Sequence, residues 1–326
     1  MPTPIVLVLG AAGRFGAAAV QAFAAAGWRV VAQQRHAPSL ALPRGVQLLQ
    51  APLDDLDAVV RAASGASVVV YAVNPPYHRW ERELLPLFEQ GLAIASALKA
   101  RFMLPGNVYA YGEQMPPRLR EDTPERPSTA KGELRARMEA RLVSRAADGL
   151  DSVVIRAGDF FGGGTGSWLD LAVAKDIARG RLVYPGPLDR VHAWAYLPDL
   201  ARAFVAVAGD GGRRGCLKLH FAGHAVTGQA FVDAVGAAAA SLGLRPEAGF
   251  RIGAMPWPLL SVAGLFSPTL REVVRMSYLW RVPHALDGAA LARHVGPLPQ
   301  TPLDVALRQS LLDLGLGGAT ATAAAG

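Results

Sequence analysis

The chain opens with the run Pro4-Ile5-Val6-Leu7-Val8-Leu9, which leads directly into Gly10-Ala11-Ala12-Gly13-Arg14-Phe15-Gly16. The apolar run predicts a buried strand, and the glycines predict a tight turn that opens a helix over residues 17–26. The first glycine permits the bend, the second lets a ligand approach the backbone, and the third lets the helix pack on the strand. Because the free N–H groups of the helix start face an anion, the segment predicts a bound dinucleotide.

Composition limits the class of protein. The 326 residues are 51% hydrophobic, which is enough to bury a large core, and the single cysteine, Cys216, cannot form an internal disulfide. We find no signal-peptide pattern after Met1 and no apolar run long enough to span a bilayer, so we expect a cytoplasmic protein without a membrane partner. The net charge is +7, but the basic residues are scattered along the chain, so we expect no nucleic-acid partner.

Apolar strands alternate with amphipathic helices through the first half. The predicted strands are 5–9, 29–33, 46–49, 67–73, 101–104 and 152–156, and the predicted helices are 17–26, 56–63, 81–99 and 132–147. This alternation predicts an α/β protein with a Rossmann-type, doubly wound parallel sheet. We predict an NAD(P)-binding domain over 1–160 and an interleaved, smaller substrate-binding subdomain over 161–326, with segments near 191–221 returning to the main sheet.

The end of the second strand bears on the choice of cofactor. In dinucleotide folds an acid at this point binds the ribose 2′-hydroxyl, whereas a nearby arginine accommodates a 2′-phosphate. Here the segment reads Gln33-Gln34-Arg35, with no carboxylate. It favours NADP(H) over NAD(H), and the alternative is that Arg35 is a solvated surface residue.

Two further strand ends supply candidate cofactor contacts. After the third strand, Leu53-Asp54 offers a carboxylate that either contacts the adenine amine or caps the helix starting at residue 55 or 56. Ala72 and Asn74 close the fourth strand at the carboxyl edge of the sheet, where cofactor and substrate are expected to meet. Asn74 is a candidate contact there or an ordinary turn starter before proline.

Several segments in order resemble the extended or atypical short-chain dehydrogenases/reductases, which include NAD(P)-dependent sugar epimerases and dehydratases. The resemblance covers about residues 4–242. Residues 10–16 are similar to the family's G-x-x-G-x-x-G, and Leu53-Asp54 is similar to its adenine-side acidic motif. Residues 107–112 (NVYAYG) resemble S-x-x-V-Y-G, 156–162 (RAGDFFG) resemble R-x-x-N-x-Y-G, and 192–201 (HAWAYLPDLA) resemble V-H-V-x-D-L-A. The cofactor contacts that follow are Gly10, Gly13, Arg14, Phe15, Gly16, Gln34, Arg35, Leu53, Asp54, Ala72, Asn74 and Lys131.

The chain departs from the family at its proton-handling groups. The family pairs a tyrosine with a lysine four residues later, and here Lys131 is kept while Pro127 stands in the tyrosine position. Asn107 stands where the family has its catalytic serine. The resemblance therefore implies an NAD(P)-dependent oxidoreductase that lacks the usual catalytic tyrosine.

Two nearby phenols could replace the missing donor. Tyr109 and Tyr111 are two residues apart, so both could face the same side. We take Tyr109 as the proton donor and Asn107 as a second hydrogen bond to the substrate oxygen. The alternatives are that both phenols pack the loop and that Lys131 is a surface charge instead of a ribose ligand.

The candidate substrate contacts lie on segments expected at the cleft mouth: Tyr111, Asp159, Phe160, Trp168, His192 and Trp194. The aromatic side chains either indicate an apolar or flat substrate or belong to the core. Asp159 either contacts the nicotinamide edge or the substrate or forms an ordinary strand-end turn. His192, His220 and His224 lack a metal-ligand spacing, so we expect no metal site.

Three functions fit these features. The first is NADPH-dependent oxidation or reduction of a carbonyl or alcohol of unknown identity, the second is nucleotide-sugar epimerisation or dehydration, and the third is a non-catalytic NADP(H) sensor. The family resemblance also implies a homodimer, because helices 81–99 and 132–147 correspond to those that form a four-helix dimer contact in the family. The apolar stripe Leu134, Met138 and Leu142 would serve that contact or the sheet.

Overall fold

The computed structural model describes residues 3–35, 42–212, 215–244 and 246–317. In chain order its strands are β1 (Ile5–Leu9), β2 (Arg29–Gln34), β3 (Gln47–Gln50), β4 (Val68–Tyr71), β5 (Arg101–Gly106), β6 (Arg118–Leu119), β7 (Ser152–Arg156), β8 (Asp159–Phe161), β9 (Arg181–Tyr184), β10 (Val191–Tyr196), β11 (Cys216–His220), β12 (His224–Thr227), β13 (Arg251–Ala254) and β14 (Ala285–Leu286). The helices are α1 (Arg14–Ala25), α2 (Leu56–Ala62), α3 (Trp80–Leu98), α4 (Ala130–Ala146), α5 (Leu197–Ala208), α6 (Gly228–Ser241), α7 (Trp257–Ala263), α8 (Pro268–Arg275), α9 (Ala289–Val295) and α10 (Leu303–Asp313).

The central sheet has seven strands in the order β11-β7-β5-β4-β1-β2-β3, and neighbouring strands are parallel throughout. Its inner strands carry near-continuous apolar residues because helices cover both faces. The α/β, doubly wound fold predicted from the alternation is confirmed. The chain moves from β1 toward β3 and then returns to β4 on the other side, so a crevice opens between the carboxyl ends of β1 and β4.

The segments predicted to return to the main sheet separate into two groups. β11 joins the sheet as an edge strand beside β7. β10 does not, because Trp194, Ala195 and Tyr196 pair with β8, and its other edge pairs antiparallel with β12 in a separate three-stranded sheet. The expectation that residues 191–196 rejoin the main sheet is therefore wrong, and the division of the chain at residue 160 stays a prediction.

The apolar stripe of α4 serves the interior of a single chain. Leu134, Met138 and Leu142 are all buried and belong to the cluster between the sheet and its helices. A homodimer contact across α3 and α4 would have to use other side chains, and the homodimer stays a prediction.

Within the described parts of the chain, no helix is both long and apolar enough to cross a membrane.

Candidate active site

The glycine turn after β1 is packed too tightly for larger residues at two of its three positions. Gly10 has φ of 78°, and a Cβ there would lie 3.0 Å from the backbone of Ala72. A Cβ on Gly16 would lie only 2.2 Å from the Gly10 carbonyl oxygen. These two glycines therefore hold the turn against the end of β4 and α1 against the turn.

Gly13 differs, because a Cβ there would meet its nearest neighbour, the Gly10 carbonyl oxygen, at 3.4 Å, an ordinary contact. Gly13 is the N-cap residue of α1, provides no side-chain cap, and is followed by a first turn without an acidic residue. The positive end of α1 thus has no side-chain acceptor of its own. The turn therefore has the features of an anion site, in which a ligand would come close to the backbone and accept from its free N–H groups.

The two residues between the second and third glycines differ in what their side chains contact. Phe15 is buried against Phe204, with ring centroids 4.8 Å apart, so its side chain belongs to the core and cannot contact a cofactor in the crevice. Arg14 instead crosses the crevice, and its Nη1 donates to the Phe160 carbonyl oxygen at 3.4 Å. Burial lowers the pKa of Arg14, and the carboxylates of Asp170 and Asp159 oppose that shift.

The end of β2 is held by a glutamine. Gln33 accepts from the Gly10 amide at 3.0 Å and donates to the Ala51 carbonyl at 2.6 Å, which ties the glycine turn to β3. Gln34 is buried, so its side chain is not presented to the surface of the crevice as predicted. Arg35 is exposed at the strand end.

The two carboxylates of the acidic segment after β3 have different roles. Asp55 caps α2, since its Oδ1 accepts from the Ala58 amide at 3.1 Å. Asp54 is exposed and is not the cap, so of its two predicted roles only the adenine contact remains open. Leu53 is buried in the core, where its side chain cannot reach a ligand.

Tyr109 follows β5 and lies at the crevice. The Asn107 Oδ1 accepts from the Tyr109 amide at 3.1 Å and so fixes the turn that carries the phenol. The Tyr109 hydroxyl forms a hydrogen bond with the Tyr77 hydroxyl, from the loop after β4. Burial raises the pKa of Tyr77 to about 12, and burial together with Tyr77 and Asp159 raises the pKa of Tyr109 well above its ordinary value. Both phenols therefore keep their protons at neutral pH.

Lys131 lies at the same place, on the first turn of α4. It is 2% exposed, its Nζ donates to the Tyr77 carbonyl oxygen at 2.9 Å, and it forms an ion pair with Glu272 at 2.8 Å. The alternative of a surface charge is therefore wrong. An ammonium group has three donors, so one hydrogen remains for a further acceptor. Pro127 leaves no hydroxyl at the family's tyrosine position, and the phenol beside the lysine is Tyr77, whose ring centroid lies 5.0 Å from Nζ.

Asp159 and His192 form the opposite wall. The His192 Nε2 lies 2.8 Å from the Asp159 Oδ2, and the imidazole stacks on Trp280 with centroids 4.1 Å apart. Asp159 is a half-buried carboxylate close enough to raise the pKa of both Tyr77 and Tyr109. It is thus part of the polar cluster at the crevice as well as the first residue of β8.

Tyr111 does not share this site. Its turn is a 3₁₀ helix with about three residues per turn, so residues two apart point in different directions. The Tyr111 side chain is buried and its hydroxyl lies 2.7 Å from the His220 Nε2 and also contacts the Arg156 guanidinium. The expectations that the two phenols share a side and that Tyr111 meets the substrate are wrong.

The predicted aromatic contacts also divide. Trp194 is fully buried and stacks on Phe231 at 4.0 Å, so it is core and not a substrate contact. Trp168 is half-buried against Trp280, with centroids 5.0 Å apart, and Phe160 is half-buried beside Phe15. These two remain at the edge of the crevice.

The remaining predicted contacts lie at the end of β4. Asn74 is exposed and its Oδ1 accepts from Arg135 at 3.4 Å. The backbone of Ala72 packs directly against Gly10 of the glycine turn.

The structure places Tyr109 and Lys131 in contact with Tyr77, and Asp159, which pairs with His192, lies close enough to act on both phenols. It adds Tyr77 and Glu272, which the sequence analysis missed. Tyr77 follows Asn74-Pro75-Pro76, and a phenol next to a strand end is the signal that could have found it. Nothing in the sequence around Glu272 indicates its contact with Lys131. Among the described residues no three His, Cys, Asp or Glu side chains could together hold a metal ion.

A parallel sheet with a glycine turn at the crevice between β1 and β4 defines a Rossmann-type fold, and a phenol–lysine cluster lies beside that crevice. Residues 2–109 match the sequence profile described as the NmrA-like family. A search of curated proteins gave no match.

Solved structures match over nearly the whole chain. MoeE5 in complex with UDP-glucuronic acid and NAD has a TM-score of 0.70 at 20% identity, covering 94% of this chain and 98% of its own. WbmH from Bordetella bronchiseptica in complex with NAD+ has a TM-score of 0.72 at 19% identity, covering 96% and 98%. An L-threonine dehydrogenase from Clostridium difficile has a TM-score of 0.73 at 16% identity, covering 97% and 100%. At these identities the likeness establishes the fold, and at that level the predicted resemblance is confirmed.

Proposed function

We propose that the chain is an NADP(H)-dependent oxidoreductase that reduces a small carbonyl compound, or oxidises the corresponding alcohol, with Tyr109 as proton donor. The observation that carries the proposal is the Tyr109–Tyr77 hydrogen bond beside Lys131, at the crevice that the glycine turn opens. The structural neighbours that contain NAD, MoeE5 and WbmH, support a nicotinamide dinucleotide in this crevice.

The residues present fit such a cofactor. The uncapped start of α1 and the bare backbone at Gly13 suit a diphosphate, and the third hydrogen of the Lys131 ammonium suits a ribose hydroxyl. Arg35, exposed where β2 ends without a carboxylate, favours the 2′-phosphate of NADP(H) over the bare ribose of NAD(H). When bound, the cofactor supplies the hydride that reduces the carbonyl carbon.

The chain itself would supply the proton for the substrate oxygen and a second hydrogen-bond donor that orients that oxygen. As the carbonyl oxygen gains negative charge, the Tyr109 hydroxyl gives it a proton, and the Tyr77 hydroxyl is positioned to restore that proton to Tyr109. A phenol of raised pKa holds its proton until a strong base such as an alkoxide develops next to it. Asn107 fixes the turn through its side-chain oxygen, and its amide N–H group is the second donor proposed for the substrate oxygen.

The test is NADPH consumption over a panel of aldehydes and ketones with three variants. Tyr109→Phe removes the donor, and we expect kcat to fall about 100-fold with little change in KM. Tyr77→Phe leaves the donor but removes its positioning partner, so we expect a smaller fall in kcat and an altered pH profile.

Tyr71→Phe is the matched control, because the Tyr71 hydroxyl is buried without a hydrogen-bond partner among the described residues. If Tyr109→Phe keeps the wild-type kcat, or if Tyr71→Phe loses as much as Tyr109→Phe, the assignment of the donor fails. If the wild type binds NADPH but turns over nothing on the panel, the sensor function takes precedence.

A second function, nucleotide-sugar epimerisation or dehydration, is favoured by one observation. The matched structures include MoeE5 with UDP-glucose and a UDP-galactose 4-epimerase, each covering about the whole of this chain. Protection from thermal unfolding by UDP-glucose, with no protection by simple ketones, would support this function over the first.

A further inference from the structure

Helices α7 and α8 form a hairpin at the mouth of the candidate active site. The inner side of the hairpin is held by the site, because Glu272 pairs with Lys131 at 2.8 Å and the Thr269 hydroxyl lies 3.1 Å from the His78 Nδ1. Its other side faces outward. The hairpin thus connects the crevice to the surface.

The outward side is apolar at its tip. Leu259 is 66% exposed, Val262 57%, Leu265 69% and Phe266 87%. We call these four residues the hairpin tip. Leu259 and Val262 lie about one helical turn apart on α7, and Phe266 follows in the turn before α8. The helix packs against α8 and, through Trp257, against Trp168, but none of its residues is buried, so its outward face stays open to solvent. Such contiguous exposure marks an interaction surface, whereas single exposed apolar residues are common.

The charge around the tip is of one sign. Residues 248–271 contain no aspartate or glutamate. Arg271 lies directly beside the tip, since its Nε donates to the Gly264 carbonyl at 3.1 Å, and Arg275 follows one turn later on α8. Glu272 is the one acid of the hairpin, and it is mostly buried and already paired with Lys131 and Arg275.

We propose that the hairpin tip is a docking surface for an anionic lipid bilayer. Exposed leucine, valine and phenylalanine side chains suit the acyl boundary, and the flanking arginines suit the phosphate groups just above it. A second copy of the chain is a poorer occupant, because two hairpins meeting tip to tip would bring like charges together. The proposal departs from the expectation of no membrane partner, because it places the chain on the membrane surface without crossing it.

The experiment is co-sedimentation of the full chain with vesicles of phosphatidylcholine, alone or mixed with phosphatidylglycerol. We expect binding to the mixed vesicles that weakens as salt is added, and little binding to phosphatidylcholine alone. The double variant Leu265→Asp/Phe266→Asp should reduce partitioning into the mixed vesicles about tenfold or more, because it places two charges where apolar groups would insert.

Leu171→Asp is the matched control, since Leu171 is 64% exposed and lies outside the hairpin. It should bind vesicles like the wild type, and thermal unfolding and NADPH calorimetry should show both variants folded and binding cofactor alike. The proposal is overturned if the wild type ignores mixed vesicles or if Leu171→Asp loses as much binding as the double variant. It is equally overturned if light scattering shows that the tip substitutions abolish self-association and leave vesicle binding intact.

Discussion

At the scale of single residues, the site depends on side chains that stay neutral where a typical active site has charge. Tyr77 and Tyr109 are buried together, and removal from water disfavours the phenolate of each. The charge of Lys131 is already balanced by Glu272, so it does little to lower the pKa of either phenol. The pair is therefore suited to donating a proton, which favours carbonyl reduction over alcohol oxidation among the two proposed directions.

The choice between the two dinucleotides is testable at Arg35. We expect Arg35→Ala to weaken NADPH binding about tenfold or more and to leave NADH binding unchanged, because only NADPH has a 2′-phosphate for the guanidinium. Isothermal calorimetry with each cofactor measures the effect.

Arg29→Ala is the control for this prediction, since Arg29 is exposed at the opposite end of the same strand. Equal loss of NADPH and NADH affinity in Arg35→Ala, or equal loss in both variants, would contradict the preference for NADP(H).

At the scale of elements, different glycines of the unit β1–turn–α1 serve different purposes: Gly16 is needed for packing of the helix, and Gly13 is proposed to admit the ligand. A Cβ at Gly16 would lie 2.2 Å from the Gly10 carbonyl oxygen, so Gly16→Ala must push α1 off the turn. We expect a loss of about 1–3 kcal/mol in the free energy of unfolding. Urea denaturation measures this loss.

Gly13→Ala is the complementary change in the same element. Its Cβ would meet only an ordinary contact at 3.4 Å, so we expect unchanged stability and weaker NADPH binding. If Gly13→Ala destabilises the fold as much as Gly16→Ala, or binds cofactor as the wild type does, the turn is not the diphosphate site.

The hairpin α7–α8 is connected to the site by a buried ion pair. Lys131→Met removes one partner and leaves Glu272 with Arg275, so we expect a loss of about 2 kcal/mol in unfolding free energy. We also expect faster amide exchange over residues 268–275 than in the wild type. Lys175→Met, at an exposed lysine, should change neither quantity.

At the scale of the whole molecule, buried histidines make stability depend on pH. Burial and the neighbouring His192 lower the pKa of His284 from 6.5 to about 4. Between these values the unfolded chain binds more protons than the folded chain, so stability falls as the pH is lowered through this window. The contribution of His284 is about 3 kcal/mol by pH 4.

Urea unfolding measured from pH 7 to pH 4 tests this expectation. His284→Asn keeps a donor for the Val282 carbonyl, which the His284 Nδ1 meets at 2.9 Å, but cannot be protonated. Its stability should therefore vary less with pH over the window. His220 and His224 also have pKa values lowered by burial and act in the same direction, so a residual slope should remain. A variant slope equal to that of the wild type would contradict the role of His284.

The sequence alone determined the sheet and the edge at which the site lies. Strand and helix periods are local properties, and the glycine spacing encodes its own backbone geometry, so β1, the turn and α1 follow from sixteen residues. Because parallel strands end on one edge, the placement of Tyr109 after β5 at the same edge as the glycine turn also follows from the chain order.

Only the tertiary structure decided which side chains complete the site. Tyr77 meets Tyr109, and Glu272 meets Lys131 from 141 residues away, through loops whose paths no periodicity encodes. The same limit separated Tyr111 from Tyr109 and placed β10 outside the main sheet, since turn direction and strand pairing depend on contacts distant in sequence. Local pattern fixes where a side chain leaves the backbone, and packing between distant segments fixes what it meets.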